Sequence, residues 1–249
     1  MNLKKKNKSK ETKFLVSFKE INEINLNSNF VDIVDLKDPF SGTIGAWQTS
    51  EISKVVKVYT KKKLLSATLG DIKKTNQIFF KLKKFDELGL DFIKFGVFLE
   101  DLNEINSLFK IFKNLFFKSK IVPVFFAENK KSLNFLDKNL KFFCDININH
   151  FLIDTKSKSS LDLLDNCSIH FLEKLIKKSN NFNINVGLAG KLKKEQIPKL
   201  IKIRPQLIGL RSAICENFDR KKKICRKKLK KISTYFNSES KEAIQNAGV

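Results

Sequence analysis

The sequence lacks the features of an exported or membrane-spanning protein. No apolar run reaches the roughly 18 residues that a membrane helix needs. The N-terminus is basic, but neither an apolar segment nor a small-residue cleavage site follows it. We therefore expect no signal peptide, no membrane partner and a cytoplasmic location.

Cysteine and histidine are also scarce. The four cysteines stand far apart and form no CxxC pair, which favours reduced structural thiols over disulfides or a zinc site. His150 and His170 have neither triad nor metal-ligand spacing, so we expect both to be structural. No metal-ligand set is predicted.

Arginine is the scarcest of the charged residues, with 4 against 45 lysines. The net charge of +23 makes nucleic-acid binding an alternative to consider. However, proteins that contact bases and phosphates favour the planar fork of arginine, and the lysines here are spread along the whole chain. We expect no specific nucleic-acid partner, and the charge is compatible with phosphorylated substrates.

What the chain does contain is a repeated strand–helix pattern. Its 249 residues, 42% of them hydrophobic, suffice for one large α/β domain. Eight short apolar strands alternate with helices, which predicts a parallel sheet closed as a single-domain (β/α)8 TIM barrel. An open doubly wound sheet is the alternative, but no GxGxxG opens the first unit.

The polar ends of the chain predict the domain limits. We expect a disordered basic arm over residues 1–12, the catalytic barrel over 13–232 and a flexible tail over 233–249. Three of the predicted helices cover Leu102–Phe117, Ser132–Cys144 and Arg220–Lys231, the last of them strongly basic.

Charged residues occur at the carboxyl ends of the even-numbered strands. They are Asp35, Lys37, Lys94, Asp154, Lys158 and Arg211. Side chains from alternate strands share a layer inside a barrel, and catalytic groups lie at this end. We therefore expect these groups to converge.

Each of the two strand lysines has a structural alternative. Lys37 can simply extend into solvent, and Lys94 can form a buried ion pair with Asp154 or Asp35. Two lysines in one pocket disfavour each other's protonation, however, which leaves one neutral amine. Such an amine attacks carbonyls to form an imine, the second lysine carries protons, and Asp154 orients a lysine or accepts a proton.

Glycine and basic residues follow the last two strands. They are Gly187, Gly190, Lys191, Gly209 and Arg211, together with Ser212. Many barrels bind a phosphate here through backbone N–H groups. The pattern predicts a phosphate site, although glycine at a strand end is also typical of a plain turn.

These motifs together resemble the (5-formylfuran-3-yl)methyl phosphate synthase family of methanofuran biosynthesis, over about Phe14 to Lys231. The most specific motif is Asp32-Ile-Val-Asp-Leu-Lys-Asp-Pro-x-x-Gly-x-x-Gly-Ala46. Supporting motifs are Ser66-Ala-Thr-Leu-Gly-Asp71, Asp91-Phe-Ile-Lys-x-Gly96, Asp154-Thr-x-x-Lys158, Gly187-Leu-Ala-Gly190 and Gly209-Leu-Arg211.

The resemblance implies a lyase, similar to class I aldolases, that joins two glyceraldehyde 3-phosphate molecules with loss of phosphate and two waters. By motif position, Lys37 forms the Schiff base, Lys94 accepts the proton, and Asp154 and Lys158 are the polar pair after strand six. Substrate and phosphate contacts are expected from Asp35, Gly190, Gly209, Arg211 and Ser212. No cofactor is needed, because the imine is the electron sink.

Some features depart from the family or stay open. The family often has glycine at Ser212 and a small residue at Lys191, and the basic arm and tail lie outside its pattern. Another Schiff-base aldolase or a phosphosugar-binding barrel enzyme is the alternative function. An assembly of identical chains is compatible with the sequence, which does not determine the oligomeric state.

Overall fold

The computed structural model describes residues 11–156 and 161–237, and its strands close into one ring. In chain order they are β1 (Lys13–Phe18), β2 (Ile33–Leu36), β3 (Leu64–Thr68), β4 (Phe92–Gly96), β5 (Lys120–Phe126), β6 (His150–Asp154), β7 (Asn185–Leu188) and β8 (Leu207–Leu210). Every pairing is parallel between sequence neighbours, and β1 pairs with β8 to complete the ring. The predicted eight-stranded barrel is confirmed.

Helices connect successive strands. They are α1 (Ile21–Asn27), α2 (Thr49–Tyr59), α3 (Thr75–Asp86), α4 (Leu102–Lys110), α5 (Lys130–Lys138), α6 (Leu140–Asp145), α7 (Leu163–Asn166), α8 (Ile169–Asn180), α9 (Ile197–Lys202) and α10 (Arg226–Ser233). None of the described helices is long and apolar enough to cross a bilayer.

Strand β4 illustrates how sequence alternation produces two cores. Ile93 and Phe95 pack in the large core between strands and helices, whereas Phe92 packs in a smaller cluster with interior residues of other strands. Successive side chains on a strand point to opposite faces. Lys94 therefore shares the interior face of Phe92, which lies two residues nearer the amino end of β4.

Two predicted helices are divided in the structure. The helix expected over Leu102–Phe117 ends as α4 at Lys110, and a 3₁₀ turn at Ile111–Asn114 follows it. The helix expected over Ser132–Cys144 divides into α5 and α6 at Asn139, whose side-chain amide donates to the carbonyl of Phe135. Asparagine side chains compete with backbone hydrogen bonds in this way, which weakens a helix interior.

The closing helix begins at Arg226 instead of the predicted Arg220. Ile224 and Cys225 instead pair with the segment after β8, because Ile224 forms an antiparallel bridge with Cys215 and the N–H of Cys225 donates to the carbonyl of Ile214 at 2.8 Å. The lysine run at 221–223 would also place positive charge at a helix N-terminus, where it is unfavourable. Arg220 consequently lies in a loop at the mouth of the barrel.

Residues just outside the expected barrel limits of 13–232 contact the barrel. The buried hydroxyl of Thr12 donates to the carbonyl of Pro205 at 2.9 Å. At the other end, the ring of Phe236 stacks on that of Phe14 with centroids 4.4 Å apart. The rest of the expected arm and tail, residues 1–10 and 238–249, lies outside the described residues.

Candidate active site

A buried ion pair joins β4 to β2 inside the barrel. Lys94 Nζ lies 2.6 Å from Asp35 Oδ1, and these side chains are only 5% and 0% exposed. The hydroxyl of Ser17, on β1, donates to the second Asp35 oxygen at 2.7 Å. Both oxygens of this carboxylate therefore have partners, as a buried charge requires.

Burial is the main influence on the pKa of Lys94, which it lowers from the ordinary lysine value. The Asp35 carboxylate raises the pKa, whereas the positive charge of Lys37 lowers it further. The net direction is downward. Lys94 therefore releases its proton more readily than an exposed lysine and is suited to accept one during a reaction.

Lys37 follows β2 directly and faces a second carboxylate. Its Nζ lies 3.4 Å from Asp154 Oδ2, at the carboxyl end of β6, and the two side chains are 15% and 11% exposed. The other Asp154 oxygen accepts the backbone N–H of Thr155 at 2.7 Å. Asp154 is thus fixed by its own strand end, while the amine of Lys37 remains accessible from the pocket.

The loop after β2 has a well-defined backbone. Asp71, which follows β3, accepts two N–H groups of this loop, one of them from Thr43 at 2.7 Å. A β-carbon on Gly45 would lie 2.3 Å from the carbonyl oxygen of Asp38, so only glycine fits there. Both motif residues, Asp71 and Gly45, therefore hold the backbone from which Lys37 projects.

These groups surround one pocket at the carboxyl ends of the strands, with a volume of about 290 Å³. All of the predicted site residues that the structure describes line it. They are Asp35, Lys37, Lys94, Asp154, Gly190, Gly209, Arg211 and Ser212. The convergence expected from the even-numbered strands is therefore present in the geometry.

Backbone donors lie at the side of the pocket formed by β7. Within the described part of the chain, the N–H groups of Gly190 and Lys191 have no protein acceptor. Gly190 has a φ of 106°, and a β-carbon there would lie 2.9 Å from the backbone nitrogen of Thr155. Lys191 is itself left-handed, with φ 49°. Two successive free N–H groups beside a lysine are suited to hold an anion.

Arg211 has a different environment from the one its motif suggests. Two of its donors form a bidentate pair with Glu23, at 2.6 and 3.1 Å. The other three N–H groups donate to the carbonyls of Ser17, Arg220 and Lys222. All five donors of the guanidinium are used within the protein. Arg211 therefore anchors the loop after β8 and has no donor left for a phosphate.

Several pocket residues were not predicted from the sequence, and Ser17 and Arg220 are the two with the clearest contacts. Ser17, which orients Asp35, is a single small polar residue in a strand and gives no sequence signal. Arg220 lines the pocket from the loop that sequence analysis assigned to a helix. The sequence feature that could have identified Arg220 is its residue type, because the chain has only four arginines beside 45 lysines.

The one predicted site residue not yet placed is Lys158, which lies outside the described residues.

Among the residues that are described, no group of three or more His, Cys, Asp or Glu side chains is arranged to bind a metal. The four cysteines are free thiols, and burial raises the pKa of Cys215 to about 11.

Comparison with known proteins gives both a fold and a family. Similar folds include 3-hexulose-6-phosphate synthase from Salmonella typhimurium, with TM-score 0.62 and 14% identity over 91% of this chain and 100% of that one. KGPDC from Streptococcus mutans has TM-score 0.57 and 12% identity, over 94% and 99%. At these identities the likeness concerns the fold alone.

Several sequence relatives share one name. The (5-formylfuran-3-yl)methyl phosphate synthase of Methanobrevibacter smithii is 29% identical over 197 residues, which cover 76% of this chain and 83% of that relative. The synthase of the same name from Archaeoglobus fulgidus is 28% identical, over 81% and 88%. The family model described as 4-HFC-P synthase matches residues 14–233, nearly the whole barrel. The chain therefore belongs to the 4-HFC-P synthase family, as its motifs predicted.

Proposed function

We propose that this enzyme is a (5-formylfuran-3-yl)methyl phosphate synthase that uses Lys37 as a Schiff-base nucleophile. The observation that carries the proposal is the presence of two lysines in one pocket, each beside its own carboxylate. The reaction joins two glyceraldehyde 3-phosphate molecules and releases one phosphate and two waters. This balance conserves every atom of the two trioses.

The lowered pKa of Lys94 supports its role as proton acceptor. Lys37 attacks the carbonyl of the first triose and forms an imine, with loss of water. Lys94 removes a proton from the carbon next to the imine, and the electron pair moves into the protonated imine. The resulting enamine carbon attacks the second triose. Asp154, 3.4 Å from Lys37, stabilises the cationic form of the imine nitrogen.

The N–H groups of Gly190 and Lys191 are the proposed holders of a substrate phosphate. Gly209 and Ser212 line the same side of the pocket. A β-carbon on Gly209 would lie 3.3 Å from side-chain atoms of both Ala189 and Leu15. The absence of a side chain at Gly209 therefore leaves space on this side of the pocket. By motif position, we propose that Lys158 forms the polar pair after β6 with Asp154.

A different Schiff-base aldolase or a phosphosugar-binding barrel enzyme is the second candidate, because such folds share this barrel. Its product would be a simple sugar phosphate. The proposed synthase instead forms an aromatic furan aldehyde, which absorbs in the near ultraviolet. Incubation with glyceraldehyde 3-phosphate alone, followed by mass analysis of the products, separates the two.

The first prediction concerns Lys37. Borohydride reduction in the presence of glyceraldehyde 3-phosphate should attach the triose covalently to Lys37, because only an imine is reduced to a stable amine there. The Lys37→Ala variant should form no adduct and lose turnover by several orders of magnitude. Peptide mass spectrometry locates the modified residue.

Lys54→Ala is the matched control, since Lys54 is an exposed lysine on α2 that pairs with Glu51 outside the pocket. It should form the adduct as the unmodified enzyme does. Adduct formation that persists in Lys37→Ala, or that never occurs in the unmodified enzyme, would refute the role of Lys37.

A further inference from the structure

Arg220 is placed in the pocket by contacts with the loop after β2. One of its terminal nitrogens donates to the carbonyl of Gly42 at 2.7 Å and to that of Pro39 at 3.1 Å. These contacts connect the loop after β8 to the loop that begins at Lys37. The guanidinium therefore lies on the β2 side of the pocket, three strands around the ring from the N–H groups after β7.

Most of the donors of this guanidinium are unused. Among the described residues, its Nε and its other terminal nitrogen have no protein acceptor, in contrast to Arg211. Burial lowers the pKa of Arg220, and the charge of Asp154 opposes that shift. A partly buried, permanently charged fork with free donors is suited to a phosphate group, which it binds in bidentate geometry.

Charge on the neighbouring side chains supports the same conclusion. Lys221 follows Arg220, also lines the pocket, and lies with its Nζ 5.6 Å from the ring centroid of Phe40. Three carboxylates line the pocket, and two of them, Asp35 and Asp154, face Lys94 and Lys37. The third, Asp219, accepts the backbone N–H of Lys221 at 2.9 Å. Among the described residues, neither Arg220 nor Lys221 forms a direct ion pair with a carboxylate, so two cations stand against the single unpaired carboxylate of Asp219 on this side of the pocket.

We infer that Arg220 forms a second anion subsite, which binds the phosphate of a second phosphorylated triose beside the imine on Lys37. This inference rests on the proposed function, because only a reaction between two phosphate esters needs two such subsites. The first subsite, at Gly190 and Lys191, holds the triose bound to Lys37. Arg220 holds the other.

The test separates the two subsites by filling the first one covalently. The enzyme is reduced with borohydride in the presence of glyceraldehyde 3-phosphate, and the purified adduct is titrated with inorganic phosphate in a calorimeter. The unmodified adduct should bind phosphate. The Arg220→Gln adduct should bind it about tenfold more weakly or worse, because charge-assisted hydrogen bonds are lost.

Arg226→Gln is the matched control, since it removes the same charge from an arginine that lies over the ring of Phe30 outside the pocket. It should bind phosphate normally. Arg220→Gln should still form the Lys37 adduct while furan formation falls at least about tenfold, which also shows that the variant is folded. Unchanged phosphate binding by the Arg220→Gln adduct would overturn the inference, whereas absence of an adduct in the unmodified enzyme would refute the proposed function instead.

Discussion

The ion pair between Lys94 and Asp35 combines two opposing influences on one amine. Burial lowers the pKa of Lys94, and the carboxylate partly restores it. A neutral amine can remain buried at little cost, whereas its protonated form needs Asp35. The charge of Lys94 is therefore compensated by Asp35 while it holds a proton, and after the proton leaves, the hydroxyl of Ser17 still donates to the Asp35 carboxylate.

A pH dependence follows from this balance. Lys94 accepts a proton only when neutral, so kcat/KM should fall as the pH drops through its pKa. Asp35→Asn removes the anion that raises this pKa, so the pKa should fall and the acidic limb of the profile should move to lower pH. Initial rates measured across a pH series give the limb in both proteins.

The control for that measurement is Asp145→Asn, which removes an exposed carboxylate on α6 that pairs with Lys141 and does not line the pocket. Its acidic limb should coincide with that of the unmodified enzyme. A limb that stays in place or moves to higher pH in Asp35→Asn would contradict the assignment to Lys94.

At the scale of single residues, the orientation of a side chain is predictable from the sequence where its position in a strand determines its direction. Lys94 interrupts an apolar strand, so its inward orientation and need for a partner were predictable. Arg211 and Arg220 were not distinguishable in this way. Their roles depend on Glu23 and on the carbonyls of Pro39 and Gly42, which are remote in sequence.

At the scale of secondary-structure elements, aromatic packing joins α4, α6, β5 and β6. Phe143, on α6, is fully buried, and its ring centroid lies 4.8 Å from those of both Phe109 and Phe151. Phe125 adds an edge contact at 6.3 Å. One short helix therefore carries much of the packing on this side of the barrel.

We expect Phe143→Ala to lower the free energy of unfolding by about 3–5 kcal/mol, because it leaves a cavity among these rings. Phe116→Ala serves as the comparison, since Phe116 is 95% exposed, and it should change stability by less than about 0.5 kcal/mol. Urea denaturation measures both. Equal losses in the two variants would show that the rings around Phe143 are not a stabilising unit.

Element order was predictable because apolar runs alternate clearly with amphipathic segments, but several helix ends were not. The break at Asn139 depends on a side-chain hydrogen bond to the carbonyl of Phe135. The late start of α10 at Arg226 depends on the pairing of Ile224 and Cys225 with the segment after β8. Both are local backbone choices stabilised by tertiary contacts, and periodicity carries no information about them.

At the scale of the whole molecule, the net charge of +23 destabilises the folded state through repulsion between like charges. Many lysines lie on exposed helix faces, where ion pairs such as Lys54–Glu51 and Lys177–Glu173 offset only a small part of it. The excess of 49 basic over 26 acidic side chains sets the sign of the overall effect.

We therefore expect the Tm to rise when sodium chloride is increased from a low value to about 0.2 M, because screening weakens repulsion between exposed charges. Each kcal/mol gained corresponds to about 2–4 °C for a chain of this size. Scanning calorimetry measures the change, and potassium chloride should give the same result. A Tm that falls with either salt would mean that surface ion pairs outweigh the repulsion.

The stacked rings of Phe14 and Phe236 have a consequence for biosynthesis. β1 is synthesised long before its β8 neighbour and before Phe236, which covers Phe14. Until the ribosome has made both, β1 is an open sheet edge with an uncovered phenylalanine, with which other unfinished chains can pair. The time needed to translate the segment from β1 to Phe236 therefore sets how long this edge is exposed to aggregation.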